Sequence, residues 1–221
     1  TSMPFRGVLR PLLVESFDGR PTKIEGNPEH ADSLGKTGVY EQASILSLYD
    51  PDRLRRVSRG DVKADWSEFK DFALQLSPDS RVVLLSEASS SMTFAAAKRQ
   101  LEQRFSSVNW VTYGQAVGNN AARGAEATFG RAHRGVYDIA SARVIVSLDS
   151  DFLGSSSEDP VSSMRGFAAG RDVDSGDEMS RLYVIESDYS ITGGMADHRL
   201  RLKSSEISSF AAALAAEMGV Y

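Results

Sequence analysis

The chain has 221 residues, with 25 Lys and Arg against 30 Asp and Glu and no cysteine. A net charge of −5 with no basic run gives no electrostatic reason to bind nucleic acid or an anionic membrane. Without cysteine there is no disulfide framework, no thiolate nucleophile and no cysteine-ligated cluster.

The length suits one large domain or two small ones. No apolar stretch approaches the roughly 20 residues that span a bilayer, so direct membrane insertion is not expected. Pro4, Arg6 and Arg10 interrupt the start, so no secretion signal is read there. Thr1-Ser2-Met3 reads as a cloning remnant, and the chain as an excised piece of a longer polypeptide.

Gly7–Glu15 and Pro21–Glu25 read as two strands joined at Phe17-Asp18-Gly19-Arg20, since Asp-Gly between apolar runs is a short-hairpin signal. Gly26-Asn27-Pro28 breaks the second strand. Glu41–Leu48 is a predicted helix that stops before Pro51. Trp66–Leu76 places apolar residues 66, 69, 72, 73 and 76 on one helical face. Arg81–Leu85 is a continuous apolar run, expected for a parallel strand covered on both faces. Predicted helices follow at Ser89–Phe105, about Asn119–Phe129, Val161–Ala169 and Glu206–Met218. Predicted strands alternate with them at Val108–Tyr113, Arg143–Leu148, Arg181–Glu186 and Arg199–Leu202. Ser204 or Ser205 is the expected cap of the last helix and Gly219 its expected end.

Repeated β-then-α units predict an α/β fold: a doubly wound, mostly parallel sheet with helices on both faces, preceded by a small β-hairpin lead-in. The expected division is residues 1–60 for the hairpin and short helix, and 61–221 for a Rossmann-like domain.

Ligands of such sheets bind beyond the carboxyl ends of the strands. The legible ends are Ser86-Glu87-Ala88-Ser89-Ser90-Ser91, Gly114-Gln115, Asp149-Ser150-Asp151 and Glu186-Ser187-Asp188. None carries G-x-G-x-x-G or a Walker A lysine, which removes the usual nicotinamide and ATP sites. Ser89-Ser90-Ser91 suits either an anion at a helix N-terminus or a simple N-cap. A phosphate oxygen about 5 Å from Asp149 or Glu186 would be repelled by roughly 3 kcal/mol at an effective dielectric near 20. These acids instead suit ribose hydroxyls, the donor edge of guanine, or the capping of neighbouring loops. His30, His133 and His198 show no metal-ligand spacing. Asp197-His198 lacks the nucleophile elbow that a hydrolase triad needs, and Thr192–His198 reads as a tight loop.

Gly19–Arg53 resembles the segment that follows the cluster-binding part of large molybdopterin oxidoreductases. It has two strands, a Gly26-Asn27-Pro28 turn, a short helix and Tyr49-Asp50-Pro51-Asp52-Arg53. Catalytic members carry a cluster-ligating cysteine between that turn and helix, where this chain has Ser33-Leu34-Gly35-Lys36-Thr37-Gly38-Val39-Tyr40. Ala142–Gly154 is similar to a strand and loop that carry cofactor contacts in the family. Leu182–Leu202 is similar to a second such segment, keeping Thr192, Ala196 and Asp197, with Glu186-Ser187-Asp188 in place of Asp-Pro-Arg. The wording of QASILSLYDPDR and SITGGMADHRL is closest to the molybdopterin-oxidoreductase-like, iron–sulfur subunit of bacterial alternative complex III.

That resemblance implies a periplasmic, cofactor-free scaffold in a respiratory electron-transfer subunit. Its implied partners are a ferredoxin-like iron–sulfur domain, which holds the clusters, and other subunits of a membrane respiratory complex. No catalytic residue and no metal ligand is assigned. The alternative is a fragment of an active enzyme that binds molybdopterin guanine dinucleotide. Ser86, Glu87, Ser89, Asp149, Asp151, Glu186, Ser187 and Asp197 would then make the cofactor contacts.

Overall fold

The structure, a computed structural model, describes residues 1–5, 8–31, 33–89, 91–114, 120–131, 133, 135–155, 157, 159–175 and 178–220. The chain is a mixed α/β protein with parallel strand pairing. It divides into two compact units, Thr1–Asn27 with Tyr40–Asn119, and Pro28–Val39 with Asn120–Tyr221.

In the first unit, strands β1 (Ser2–Phe5), β2 (Val8–Phe17) and β3 (Arg20–Gly26) pair antiparallel in that order. The β2–β3 turn has Asp18 at φ 50° and Gly19 at φ 72°. Two successive left-handed residues match the strands' own twist, which is why Asp-Gly closes a two-residue hairpin here. Helix α1 (Val39–Tyr49) is tied to this sheet. Its Tyr49 hydroxyl donates to the Pro21 carbonyl at 2.5 Å, and buried Glu41 faces Arg10 at 3.5 Å. A two-residue hairpin of β4 (Ser58–Arg59) and β5 (Val62–Lys63), not expected from the sequence, leads to α2 (Trp66–Gln75). Asp65 caps α2 by accepting from the Ser67 and Glu68 N–H groups at 2.9 and 3.1 Å.

The unit continues with β6 (Arg81–Glu87), α3 (Met92–Arg104) and β7 (Ser107–Tyr113), and β6 and β7 form a parallel pair. The Arg104 guanidinium donates to the Ala73 and Leu74 carbonyls at 3.2 Å, satisfying the last turn of α2. Side chains alternate across a strand. Trp110 on β7 and Phe94 on α3 meet edge to face at 5.3 Å. On the opposite side Val83 and Leu85 remain 60% and 69% exposed. The expectation that Arg81–Leu85 is covered on both faces is therefore corrected: alternate residues of this strand stay open to solvent.

In the second unit, α4 (Asn120–Phe129) precedes the parallel ladder β8 (Val144–Leu148), β9 (Arg181–Glu186) and β10 (His198–Arg201). The strand order is β10-β9-β8. Helix α5 (Pro160–Ala169) and a 3₁₀ turn at Val173–Ser175 connect β8 to β9, and one-turn α6 (Ile191–Gly194) connects β9 to β10. The central strand carries the core: Leu182 and Val184 pack with Leu153 and Phe167, supported by Ile145 and Phe152. The last helix is α7 (Ser204–Glu217). It ends as expected at Gly219, φ 70°, where Gly219 and Val220 donate to Ala216 and Ala215 at 3.0 Å. Its expected serine cap is corrected: the N-cap residue is Lys203, whose ammonium has no acceptor for a backbone N–H, and Ser204 instead donates toward Asp149 and Ser187.

Replacing Gly19 by valine forces a β-branched side chain into the left-handed turn and is expected to cost about 1–2 kcal/mol. Gly124→Ala inside α4 meets open space and is expected to gain about 0.5–1 kcal/mol. Urea unfolding midpoints that moved the same way for both would contradict the assigned turn.

Candidate functional site

The carboxyl ends of β8, β9 and β10 lie side by side in one ladder, and Asp149, Asp151 and Glu186 converge there. Asp149 follows β8 with φ 51°, a left-handed conformation that aspartate tolerates better than most residues. Its N–H donates to the Ile185 carbonyl at 2.7 Å. Its Oδ1 accepts from the Ser187 N–H and hydroxyl at 3.1 and 3.0 Å. The single Ser204 proton lies between Ser187 Oγ, 2.8 Å away, and Asp149 Oδ2, 3.2 Å away. One carboxylate thus ties the β8 end to the β9 end and to the start of α7.

Asp151 performs a similar task one step along. Its Oδ1 accepts from the Thr192 N–H at 2.9 Å and hydroxyl at 2.8 Å. Thr192, fully buried, in turn accepts from the Leu153 N–H at 3.0 Å. The hydroxyl donates once and accepts once, so it joins the β8 loop to α6.

Glu186 ends β9 with only 3% of its surface exposed. Its Oε2 accepts from the Ser190 hydroxyl at 2.6 Å, and its Oε1 from Arg199 Nε at 2.5 Å and the Ser190 N–H at 3.5 Å. Ser190 Oγ also accepts from the Gly193 N–H at 2.9 Å, which caps α6. Burial pushes the Glu186 carboxyl up, but the Ser190 and Arg199 donors together hold it below its ordinary value. Gly193 is required here for close approach: a Cβ at this position would lie 1.9 Å from Glu186 Oε1. Arg199 spans the site, donating to the Asp188 carbonyl at 3.3 Å and lying 4.7 Å over the Tyr189 ring.

Asp197 lies before β10 and accepts from the Leu182 N–H at 2.7 Å and from the Arg171 guanidinium. The Leu182 N–H first, then Arg171, holds its carboxyl below the usual range against the opposing push of burial. His198, the next residue, stacks on Tyr183 at 4.8 Å, so Asp197 is committed to arginine and backbone.

Ser86, Glu87 and Ser89 belong to the first unit. Ser86 Oγ accepts from Trp110 Nε1 at 2.8 Å, and Ser89 Oγ accepts from the Ser91 N–H at 3.2 Å. Ser91 caps α3 by accepting from the Phe94 N–H at 3.3 Å. Glu87 is exposed at the end of β6. Ser90 and Gln115 lie outside the described residues.

Of the residues that make the strand-end network work, Ser190, Gly193 and Arg199 were not singled out by sequence reasoning, and Ser204 was read only as a helix cap. One signal was available: a serine three positions before a glycine N–H, Ser190 to Gly193, has the spacing of an N-cap. Among the described residues no group of three His, Cys, Asp or Glu is placed to hold a metal ion. No known protein-family model and no curated protein matches the chain.

Two outcomes follow from this geometry. Gly193→Ala collides with a buried, paired carboxylate and is expected to cost about 3 kcal/mol or more. Gly194→Ala meets only the end of the Tyr189 side chain at 3.3 Å, so its cost in thermal unfolding is expected to stay below about 1 kcal/mol. The second outcome concerns pH. Glu186 and Asp197 both have depressed folded values, so their stabilisation is complete above the ordinary carboxylate range near 4 and disappears as pH falls below it. Melting temperature is expected to fall between about pH 5 and pH 3, and less steeply in Glu186→Gln. An unchanged acid limb in that variant would remove Glu186 from this role.

Proposed function

We propose that this chain is a non-catalytic, molybdopterin-oxidoreductase-like domain of a respiratory quinol-oxidising electron-transfer subunit, acting as scaffold and docking surface. The β–α alternation, with α helices between parallel strands, supports reading it as a doubly wound domain with a hairpin lead-in. Its partners in this reading are a ferredoxin-like iron–sulfur domain and other subunits of a membrane complex on the periplasmic side. Among the described residues no helix is long and apolar enough to cross a membrane. Residue likeness in Gly19–Arg53 and Leu182–Leu202 supports the family.

The observation that carries the non-catalytic reading is the engagement of the strand-end acids by donors of their own loops. An ionised carboxylate offers about four lone-pair sites. Glu186, buried, receives three donors from its own unit, and Asp149 and Asp151 each receive two at Oδ1. A guanine edge or ribose would have to displace bonds that close the loops. Arg199 is held by Glu186, so that guanidinium is not free for a phosphate. The carboxylates present therefore do not fit molybdopterin guanine dinucleotide, and no step through that cofactor is derived. The alternative reading, a cofactor-binding fragment of an active molybdenum enzyme, requires these acids to face outward as acceptors.

Titration with guanosine diphosphate separates the readings. A ligand at 100 times its Kd stabilises by about 2.7 kcal/mol, which in a chain of this size raises Tm by about 5–10 °C. The scaffold reading expects no heat in calorimetry and no such rise. A saturable heat that Asp149→Asn or Ser187→Ala abolishes would replace it with the alternative.

A further inference from the structure

The chain's net charge conceals a local excess of the opposite sign. Residues 53–63 contain five cations, Arg53, Arg55, Arg56, Arg59 and Lys63, against the single carboxylate of Asp61. All five are exposed, and among the described residues none forms an ion pair. The cations are interspersed with Leu54, Val57, Ser58 and Gly60, so no uninterrupted basic run marks them.

This segment borders an open groove of about 630 Å³ lined by Val57, Arg59, Ala64, Trp66, Phe69 and Phe72. The aromatic residues recur every three positions along α2, covering just under two turns or about 9 Å of helix. Trp66, Phe69 and Phe72 are 71%, 56% and 58% exposed, and Trp66 meets Phe69 edge to face at 5.8 Å. Each ring buries 150–250 Å² when fully covered, on the order of the largest apolar patch of a typical monomer when three are combined. Small-molecule sites enclose most of their ligand, whereas these rings stay more than half exposed. The groove suits an extended apolar surface. Of its two carboxylates, Asp65 is engaged in capping α2, which leaves Glu68 as the one uncommitted acid of the lining among the described residues.

We propose that the α2 groove with its arginine rim is a docking site for an amphipathic helix of a partner protein, apolar on one face and flanked by Asp or Glu. A stripe at helical spacing beside a short hairpin is the geometry of helix-in-groove recognition. Trp and Arg are the residue types that dominate such interfaces. Arg59 lines the groove and the four other exposed cations lie in the same segment, residues 53–63, which selects an acidic flank and rejects a basic one. This inference rests on the scaffold reading and assigns one of its docking faces.

The test uses the chain as described and two synthetic helices, each labelled for fluorescence anisotropy. Both carry the same leucine face; one is flanked by glutamates, the other by lysines. The glutamate helix is expected to bind at least about tenfold more tightly, and to weaken as salt rises from about 50 to 300 mM. Arg55→Glu with Arg56→Glu, at two exposed positions, is expected to reverse the preference between the helices. Trp66→Ala with Phe69→Ala is expected to weaken the glutamate helix about tenfold or more. Circular dichroism of both variants checks folding, and the charge variant remains informative if the aromatic one unfolds.

Equal affinity for the two helices, or no saturable binding of either below about 1 mM, overturns the proposal. So does tighter binding of polyuridylate or of phosphatidylglycerol vesicles, which would make the surface one for nucleic acid or lipid. Failure here with no response to guanosine diphosphate leaves the scaffold reading standing and removes only this face. A nucleotide response with helix binding intact removes the scaffold reading instead.

Discussion

Burying an ionised carboxylate costs several kcal/mol unless donors replace the lost water. Glu186 meets that demand with the Ser190 hydroxyl, the Ser190 N–H and Arg199. Each donor has a second duty: Ser190 caps α6, and Arg199 holds the Asp188 carbonyl and covers Tyr189. The turn after β9, the short helix and the start of β10 are thus fixed around one negative charge. Asp149 and Asp151 extend the arrangement to the β8 end and to α7. In the second unit the strand ends are held together chiefly by anions and their donors.

This use of acids bears on chemistry. The crest of a parallel sheet is where α/β proteins place ligands, because loops from several strands converge there. Convergence alone does not make a site; acceptors must remain to be filled. Here Asp149, Asp151 and Glu186 direct their oxygens at neighbouring N–H and hydroxyl groups of the same loops. The unfilled valence of the first unit is of another kind, the rings of Trp66, Phe69 and Phe72 and the guanidinium groups before them. Exposed aromatic rings and arginines are the residue types enriched at protein interfaces.

Local chemistry made much of the fold legible. Asp18-Gly19 announced its turn because few other pairs adopt two left-handed conformations, and RVVLL and RLYVIE announced strands by their apolar runs. Loss of legibility began where one residue has two possible partners. Ser204 looks like a cap by position, but an aspartate 55 residues earlier takes its hydroxyl. Arg199 reads as one more charged residue in a short strand, until the carboxylate of the neighbouring strand end is brought beside it. The β4–β5 hairpin has only two residues per strand, too few for periodicity to register. Periodicity correctly gave α2 one apolar face, yet a hydropathy pattern says which side is greasy and nothing about whether the side is covered. Asp149 and Glu186 lie at carboxyl strand ends while Asp197 lies before β10, and their partners, set by tertiary packing, decide what they do.

The contact between Gly193 and Glu186 also restricts the routes by which this sequence can change. The carboxylate occupies the volume that any side chain at 193 would need, so substitution at 193 before 186 passes through a steric clash. Shortening the acid first opens the space but strands Arg199 without its counter-charge. The two positions, and after them 199, are therefore bound to drift together, in an order dictated by volume before charge.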